Sequence, residues 1–205
     1  MKQRETLIFV DIETAGIGPK APIIELAAVA VESGSYRELD ALEMKVAFEM
    51  KDASPRSLGV TKFSPSAWQR YALPPEDAAA KLAVFLHRHA TKQVLSKKPP
   101  MSHRVARFAG YHGDFDAVRL RDWATRLGVY LPIRRRTLCV LQRTLWFFEE
   151  NQGLAPPEDF KLATVAQHLG LSARPTHSAL DDVRATVELA RRLAEYNRIT
   201  NTRTA

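Results

Sequence analysis

Two acidic residues near the N-terminus, Asp11 and Glu13, are separated by Ile12 and directly follow the apolar residues 7–10. Alternate side chains of an extended strand project from the same face, so both carboxylates point to one side of a sheet. Carboxylates placed that close raise each other's pKa unless a cation neutralises them. This spacing is compatible with a divalent metal site, and also with a solvated strand end.

Two further acidic residues lie where helices are predicted to begin. Asp116 follows Phe115 at the start of a helical pattern over residues 115–127, and Asp182 lies in the first turn of the last predicted helix. His177 precedes Asp182 by five residues. A first-turn Asp can simply complement the helix dipole. A histidine beside carboxylates can also exchange protons near neutral pH.

The order of these features along the chain resembles that of the DEDDh exonucleases, the DnaQ-like group that includes proofreading subunits, Trex-type DNases, ribonuclease T and oligoribonuclease. The resemblance is carried by residues 8–14, 110–116 and 177–182, with support from residues 160–171. It extends from residue 7 to about residue 193. Four separated stretches agree in order, so the resemblance covers nearly the whole chain.

The resemblance implies a metal centre and assigns its residues. Asp11, Glu13, Asp116 and Asp182 are expected to ligate two divalent metal ions, with Asp11 bridging both. Oxygen ligands favour Mg²⁺ or Mn²⁺. Such a pair of ions can activate a water molecule and stabilise the departing oxygen of an in-line displacement. His177 is expected to be the general base that accepts the proton of the attacking water.

The resemblance also implies an activity, the removal of nucleoside 5′-monophosphates from the 3′ end of a polynucleotide. DNA is the favoured substrate, with a role in proofreading or repair, and Thr14 and Ala15 match positions that contact the terminal nucleotide. Three alternatives stay open: an exoribonuclease of the same architecture, a catalytically silent nucleic-acid-binding module, and a metal-dependent phosphohydrolase acting on small nucleotides. No residue separates DNA from RNA, because discrimination of the 2′-hydroxyl depends on pocket geometry.

The chain departs from the family pattern at identifiable positions. Gly113 stands where an Asn is common, and Asp114 adds an acid that is an alternative ligand to Asp116. Asp181 similarly competes with Asp182, and the five-residue spacing from His177 favours Asp182. Where many members carry an acidic residue before residue 137, this chain has three consecutive arginines, Arg134, Arg135 and Arg136.

Positive charge predominates in the sequence. The formal net charge is +7 and the isoelectric point is about 9.7, which favours polyanionic partners. The basic residues that could hold the phosphates of an incoming strand are Lys97, Lys98, Arg104, Arg107, Arg134, Arg135 and Arg136. A solvated basic surface is the alternative interpretation. Phe63 and Trp68 could contact bases or belong to the core.

The length of 205 residues suits one domain, which we place at residues 1–196, with residues 197–205 as a frayed tail. A single cysteine, Cys139, excludes an internal disulfide and favours a reducing, cytoplasmic location. No segment has the apolar length of a membrane span. A homodimer or a polymerase-type partner is compatible with the family resemblance.

The elements that must position these side chains form an α/β pattern. Apolar, β-branched residues predict strands at 7–10, 23–31, within 37–50 and at 105–111. Helical periodicity is found at residues 75–90, 115–127, 137–148, 160–169 and from 178 onward. Residues 94–103 are predicted to form a basic loop. The family resemblance implies a ribonuclease H-like mixed β-sheet, with the first three strands antiparallel, flanked by α-helices.

Overall fold

The computed structural model describes residues 5–97 and 100–203, apart from the side chains at 96, 97, 100, 101 and 197–203. The strands are β1 (Thr6–Thr14), β2 (Ile23–Glu32), β3 (Glu38–Lys45), β4 (Lys92–Lys97), β5 (Pro100–Val105), β6 (Arg107–Gly110) and β7 (Leu138–Cys139). The helices are α1 (Pro55–Val60), α2 (Pro65–Tyr71), α3 (Pro75–Arg88), α4 (Gly113–Arg126), α5 (Val140–Glu150), α6 (Leu162–His168) and α7 (Ala179–Arg203). A short 3-10 helix at Met50–Asp52 follows β3.

The main sheet has five strands in the order β3-β2-β1-β6-β7. β1 pairs with β2 and β2 with β3 in antiparallel register, whereas β1 pairs with β6 and β6 with β7 in parallel. Helices cover both faces of this sheet, which is why every residue of β2 is buried. The predicted mixed sheet with an antiparallel first half is confirmed.

The alternation of side chains along β1 divides the core into two layers. Ile8, Val10 and Ile12 belong to the cluster that α3 and α4 cover. Leu7 and Phe9 belong to the cluster on the opposite face, which α5, α6 and α7 cover. The odd-numbered residues Asp11 and Glu13 therefore share the α7 side of the sheet. That face is where a carboxylate from α7 can meet them.

The prediction of a basic loop at residues 94–103 is wrong. Within the described residues, β4 and β5 form a two-stranded antiparallel sheet, with Lys92 opposite Val105 and Val94 opposite His103. An exposed ribbon of this kind needs little apolar alternation, so its sequence lacks the strand pattern. Likewise, the helix predicted at 137–148 begins only at Val140, because Leu138 and Cys139 pair with β6 at the edge of the main sheet.

The last helix, α7, is 25 residues long and continues to Arg203, into the segment that the sequence predicts as a frayed tail. Gly170, with a φ of 62°, follows α6 as the predicted C-terminal cap. Among residues 5–97 and 100–203, none of the helices combines the length and apolar composition that crossing a membrane requires. The domain limits of 1–196 remain a prediction.

Candidate active site and metal centre

The first two carboxylates lie at the C-terminal end of β1. Asp11 is opposite Ala27 and Glu13 is opposite Glu25 across the β1–β2 pair. The buried apolar side chains of β1 fix the strand, and both carboxylate-bearing residues are half-buried. The end of β1 therefore presents two acids from one sheet face, as their spacing predicts.

Asp116 reaches the same region from the first turn of α4, and its residue is only 5% exposed. Asp116 can come close to the end of β1 because β6, the strand before α4, ends in Gly110. A Cβ at Gly110 would lie 3.0 Å from the carbonyl oxygen of Val10 and 3.2 Å from Oδ2 of Asp116. The absence of a side chain at Gly110 thus lets α4 place Asp116 beside the end of β1.

The loop before α7 brings His177 and Asp182 to the site. The backbone N–H of Thr176 donates to Oδ1 of Asp182 at 2.8 Å, which closes the loop over the first turn of the helix. His177 has a φ of 58°, a left-handed conformation that is uncommon for a residue with a side chain. Ligand atoms of Glu13, His177 and Asp182 lie within 4.8 Å of one another. These three residues therefore converge on one point.

The electrostatics show that the four predicted acids belong to one cluster. Burial raises the pKa of Asp11 well above its usual value, and the charges of Asp116, Glu13, Asp182 and Glu25 raise it further. Burial, followed by repulsion from neighbouring carboxylates, raises the pKa of Glu13 to about 7. The folded chain concentrates more negative charge here than it neutralises.

The other two acids respond to the same environment. Burial raises the pKa of Asp116 to about 7, although the charge of Arg119 opposes this change. Burial also raises the pKa of Asp182, against the hydrogen bond from Thr176 and the charge of His177. A raised pKa in all four predicted acids is the response expected of carboxylates that are buried close to one another.

The donor set fits divalent metal ions. It consists of carboxylate oxygens and one imidazole, held on a strand end and two helix starts, and oxygen-rich sites of this type suit Mg²⁺ and Mn²⁺. The acids that could hold the metal are Asp11, Glu13, Asp116 and Asp182. The imidazole of His177 is exposed and stands beside Glu13 and Asp182, where it can meet solvent.

A fifth carboxylate, Glu25, belongs to the cluster and was not predicted. It is 1% exposed on β2, receives a hydrogen bond at 3.4 Å from the hydroxyl of Ser178, and lies 3.9 Å from Nζ of Lys45. Burial raises the pKa of Glu25, and Lys45 opposes this change. Its only signal in the sequence is a single acid inside the apolar residues 23–31.

A buried cation, Arg119, was also missed by the sequence reasoning. One turn after Asp116, it is 9% exposed and donates to the carbonyl groups of Ile17, at 3.2 Å, and of Gly18. Its guanidinium group also stacks over the ring of Phe115, 4.9 Å from the centroid. Arg119 thereby ties the loop after β1 to α4, and the three-residue spacing from Asp116 could have indicated it.

The two predicted nucleotide-contacting residues take part in local structure. The hydroxyl of Thr14 donates to the carbonyl of Gly16 at 2.8 Å. Ala15 is fully buried, its N–H donates to Pro22 and its carbonyl accepts from Ser54. Their contact with a nucleotide remains a prediction, and in this conformation a direct contact is open to the partly exposed Thr14 but not to Ala15.

The competing acids of the two motifs point elsewhere. Asp114 accepts a hydrogen bond from the hydroxyl of Thr137. Asp181 accepts hydrogen bonds from the hydroxyl of Thr176 and, at 3.3 Å, from Nζ of Lys62. Both carboxylates are engaged by donors outside the cluster. The geometry therefore favours Asp116 and Asp182, the residues chosen from the motif spacing.

The aromatic residues considered as base contacts belong to a small core. Trp68 is 6% exposed, and its indole N–H donates to the carbonyl of Ile24 at 2.9 Å. The ring of Phe63 packs on Trp68 with a centroid distance of 5.0 Å and also contacts Phe48. These contacts support a structural role for both residues. Trp68 instead stabilises the start of β2, next to Glu25.

The predicted basic residues fall into different settings. Arg107 forms an ion pair with Glu5 at 2.6 Å, so its charge is partly used within the protein. Arg104 is exposed on β5. Lys98 and the side chain of Lys97 lie outside the described residues. The three consecutive arginines at 134–136 are grouped around a cleft beside the edge strand β7.

No protein-family model and no curated protein matches the chain. Solved structures of exonuclease I are nevertheless similar to it. The zinc-bound form of the E. coli exonuclease I–ssDNA complex has a TM-score of 0.71 and 19% identity, covering 94% of this chain and 42% of that chain. The E. coli exonuclease I complex with a dT13 oligonucleotide has a TM-score of 0.71 and 16% identity, covering 92% of this chain and 40% of that chain.

A third structure, SSB/exonuclease I in complex with the inhibitor CFAM, has a TM-score of 0.73 and 18% identity, covering 95% of this chain and 44% of that chain. The chain therefore spans less than half the length of these structural neighbours. The TM-scores of 0.71 to 0.73 establish the fold, whereas identities of 16% to 19% leave the chemistry to be argued from the site. The predicted fold class is confirmed, since nearly all of the chain has the fold of these exonuclease I structures.

Proposed function

We propose that this protein is a metal-dependent 3′-to-5′ exonuclease that releases nucleoside 5′-monophosphates from DNA. The observation that carries the proposal is the convergence of Glu13, His177 and Asp182 within 4.8 Å, in a cluster whose charges also act on Asp11 and Asp116. The similarity to exonuclease I supports the same conclusion, because structures of that enzyme contain ssDNA and a zinc ion. The basic surface suits a polyanionic substrate.

In the proposed site, the four acids hold two divalent metal ions. When bound, these ions supply the Lewis acidity and charge neutralisation that phosphodiester hydrolysis requires. The strand end and the two helix starts hold the carboxylates in place before the substrate arrives, which lowers the cost of organising the site. Asp11, whose charge interacts with those of the other acids, would hold metal together with them, and the family resemblance implies that it is the ligand shared by both ions.

We assign the general-base role to His177. Its imidazole is exposed, stands beside Glu13 and Asp182, and can take a proton from water at the edge of the cluster. The left-handed backbone at His177 and the hydrogen bond from Thr176 to Asp182 fix the loop that carries it. We assign Thr14, next to the acids of β1, to contact with the terminal nucleotide, and the buried Ala15 to support of the backbone there.

The decisive experiment uses DNA and RNA strands of the same sequence, each labelled at the 5′ end in one series and at the 3′ end in another. Each strand is incubated with Mg²⁺, with Mn²⁺ or with a chelator. We expect stepwise shortening of 5′-labelled DNA and release of a labelled mononucleotide from the 3′ end, with no reaction in chelator. Cleavage in chelator, or shortening from the 5′ end, would contradict the proposal.

The same experiment separates the alternatives. Faster shortening of RNA than of DNA would replace the DNase by an exoribonuclease of the same architecture. Turnover of mononucleotides without turnover of oligonucleotides would indicate a small-molecule phosphohydrolase. Metal-dependent binding of oligonucleotides without any cleavage would indicate a silent binding module, although all four acids and His177 are present.

A further inference from the structure

A cleft of about 980 Å³ opens beside the edge strand β7. It lies outside the cluster proposed to hold the metal ions, which is called the metal cluster below and consists of Asp11, Glu13, Asp116 and Asp182 with His177 beside them. One wall comes from the β4–β5 hairpin and the end of β5, through Val94, His103 and Val105. The other comes from the start of α4 and the segment that leads into β7. The residues of that second wall are Asp114, Tyr130, Ile133, Arg134, Arg135, Arg136 and Thr137. We call this feature the arginine cleft.

The arginine cleft carries an excess of positive charge, with three arginines and one acid among its described lining residues. No carboxylate of the described side chains lies within ion-pair distance of Arg134, Arg135 or Arg136. Among the described lining residues the one acid is Asp114, which accepts a hydrogen bond from Thr137 and offsets part of the positive charge. Three arginines without ion-pair partners at one cleft favour an anionic ligand that contacts more than one of them.

The backbone of the arginine segment is held in place independently of the arginine side chains. The N–H of Arg134 donates to the carbonyl of Ala106 at 2.9 Å, next to the β-bridge between Ala106 and Ile133. The guanidinium group of Arg121 on α4 donates to the carbonyl of Arg134 at 2.7 Å. A rigid backbone with uncommitted cationic side chains is pre-organised for binding, because little backbone entropy is lost when a ligand arrives.

Aromatic and imidazole groups accompany the charge. Tyr130 is 66% exposed at the cleft, so its ring face is open to stacking. His103 also lines the cleft, and its buried Nδ1 has no hydrogen-bond partner among the described residues. Positive groups that track a backbone, combined with ring faces that accept bases, are the features of surfaces that bind single-stranded nucleic acid.

The position of the cleft relates it to the metal cluster. The first turn of α4 contributes Asp116 to the cluster and Asp114 to the cleft wall. Residues two apart in a helix point to different sides of its axis. The cluster and the cleft therefore lie on two sides of the start of α4, separated by a helix diameter of about 10 Å. A strand whose 3′ end occupies the cluster can therefore reach the cleft within a few nucleotides.

We propose that the arginine cleft binds the sugar-phosphate backbone of a single-stranded polynucleotide upstream of the 3′ end that is cut. This inference rests on the proposed function for the identity of the substrate strand. It predicts that affinity rises with strand length until the cleft is filled, and that the rise depends on the three arginines. The cleft then acts as a strand-holding site, distinct from the metal cluster.

The test measures the binding of fluorescent deoxythymidine oligonucleotides of 2, 4, 8 and 12 nucleotides in chelator, at several salt concentrations. The test variant carries R134Q, R135Q and R136Q, and a second variant carries Lys at all three positions. The control variant carries R88Q, R191Q and R192Q, which remove the same charge outside the cleft. Thermal unfolding of all variants checks that each is folded.

We expect the glutamine variant to bind the 12-nucleotide strand at least roughly tenfold more weakly than the wild type at low salt. The slope of the logarithm of the binding constant against the logarithm of the salt concentration should become less steep by about 2, because each of three lost phosphate contacts to a single strand contributes about 0.7. The lysine variant should keep most of the salt dependence, and the control variant should bind almost as the wild type does.

An equal loss in the control variant would overturn the proposal in favour of general charge attraction, and unchanged binding by the glutamine variant would overturn it directly. Displacement of the oligonucleotide by polyglutamate of equal charge, with the same arginine dependence, would assign the cleft to acidic peptides instead. If the wild type binds through these arginines but cleaves nothing, the proposed function fails while this inference stands. If it cleaves but binds independently of them, only this inference fails.

Discussion

Glu13 on β1 and Glu25 on β2 lie directly opposite each other, on the same face of the sheet. Like charges in that position destabilise a strand pair. Lys45, at 3.9 Å from Glu25, and the hydroxyl of Ser178 offset part of the repulsion. Because Ser178 follows His177 in the chain, Glu25 also connects the metal cluster to the loop that carries the imidazole. The sheet thus tolerates a local repulsion that a bound cation would relieve.

Replacing Glu25 by glutamine should stabilise the metal-free protein, because it removes one buried charge and keeps the shape. We expect a gain on the order of 0.5–1 kcal/mol at pH 8 in chelator, the upper part of the range by which cross-strand side-chain pairs change stability. Chemical denaturation with and without Mg²⁺ measures it. The gain should shrink in Mg²⁺, and Glu150→Gln, at an exposed position on α5, should show neither effect. Destabilisation of the metal-free protein by Glu25→Gln would contradict this account.

Asp116→Asn should reduce cleavage by roughly 10³-fold or more, because loss of a metal ligand removes several kcal/mol of charge stabilisation. Asp122→Asn is the matched control, since Asp122 is an exposed acid on the same helix and lines neither the cluster nor the arginine cleft. It should leave the rate within about a factor of three, which corresponds to less than 1 kcal/mol. The measurement is the initial rate on 5′-labelled DNA in Mg²⁺. A loss in Asp122→Asn as large as that in Asp116→Asn would show that the effect is not specific to the cluster.

His177→Asn should slow cleavage by about 10²–10⁴-fold while oligonucleotide binding persists, because the variant lacks the proton acceptor. Asparagine is chosen because it tolerates the left-handed backbone found at His177 better than most residues. His87→Asn, at an exposed position on α3, is the control. Single-turnover rates and binding measured on the same strand distinguish a chemical defect from a binding defect. Full activity of His177→Asn would remove the imidazole from the mechanism.

The metal-free protein should lose stability as the pH rises. The pKa of Glu13 is raised from 4.5 to about 7 and that of Asp116 from 3.8 to about 7, so the folded state binds more protons than the unfolded state between these values. The stabilising contribution of Glu13 is complete below pH 4.5 and that of Asp116 below pH 3.8, and both are lost as the pH passes through about 7. Both groups make the folded state less stable as the pH rises. Bound metal ions should reduce this loss of stability, because they displace the protons from the carboxylates.

Thermal unfolding in chelator between pH 5 and 8 tests this dependence. Glu13→Gln should unfold at a higher temperature than the wild type at pH 8, by at least roughly 2–4 °C, which corresponds to about 1 kcal/mol in a domain of this size. At pH 5 the two should differ less, and saturating Mg²⁺ should narrow the difference at pH 8. A difference that does not change with pH would show that the charge of Glu13 is not the cause.

Gly113→Ala should destabilise the protein by about 1–3 kcal/mol, the usual effect of overpacking. A Cβ at Gly113 would lie 2.6 Å from the carbonyl oxygen of Leu138, which is backbone and cannot rotate away. The start of α4 would have to move from β7, and Asp116 would move with it, so activity should fall as well. Gly59→Ala, which meets nothing within 4 Å, should be neutral or stabilising. Wild-type stability and activity in Gly113→Ala would contradict the close contact.

That contact also accounts for a departure from the family pattern. The resemblance leads one to expect an asparagine before the middle motif, where this chain has Gly113. Because β7 passes so close to the start of α4, a side chain at position 113 would collide with Leu138. The substitution therefore reflects how this chain packs its edge strand against α4.

The sequence alone determined the elements with strong local patterns and the acids within them. Alternation along β1 places Asp11 and Glu13 on one face, and helical periodicity places Asp182 at the start of α7, because both patterns depend only on neighbouring residues. The weak pattern of residues 92–105 gave no such signal, and the hairpin there was missed. The family resemblance supplied the functional roles, which local patterns do not contain.

Only the tertiary structure decided which charges meet. The register of β1 against β2 places Glu25 opposite Glu13, and the packing of α4 brings Arg119 to the loop after β1. The arginine cleft depends in the same way on the parallel bridge between Ala106 and Ile133. These relationships join residues far apart in the chain. Electrostatic energy depends on distance in space, so separation along the sequence could not reveal them.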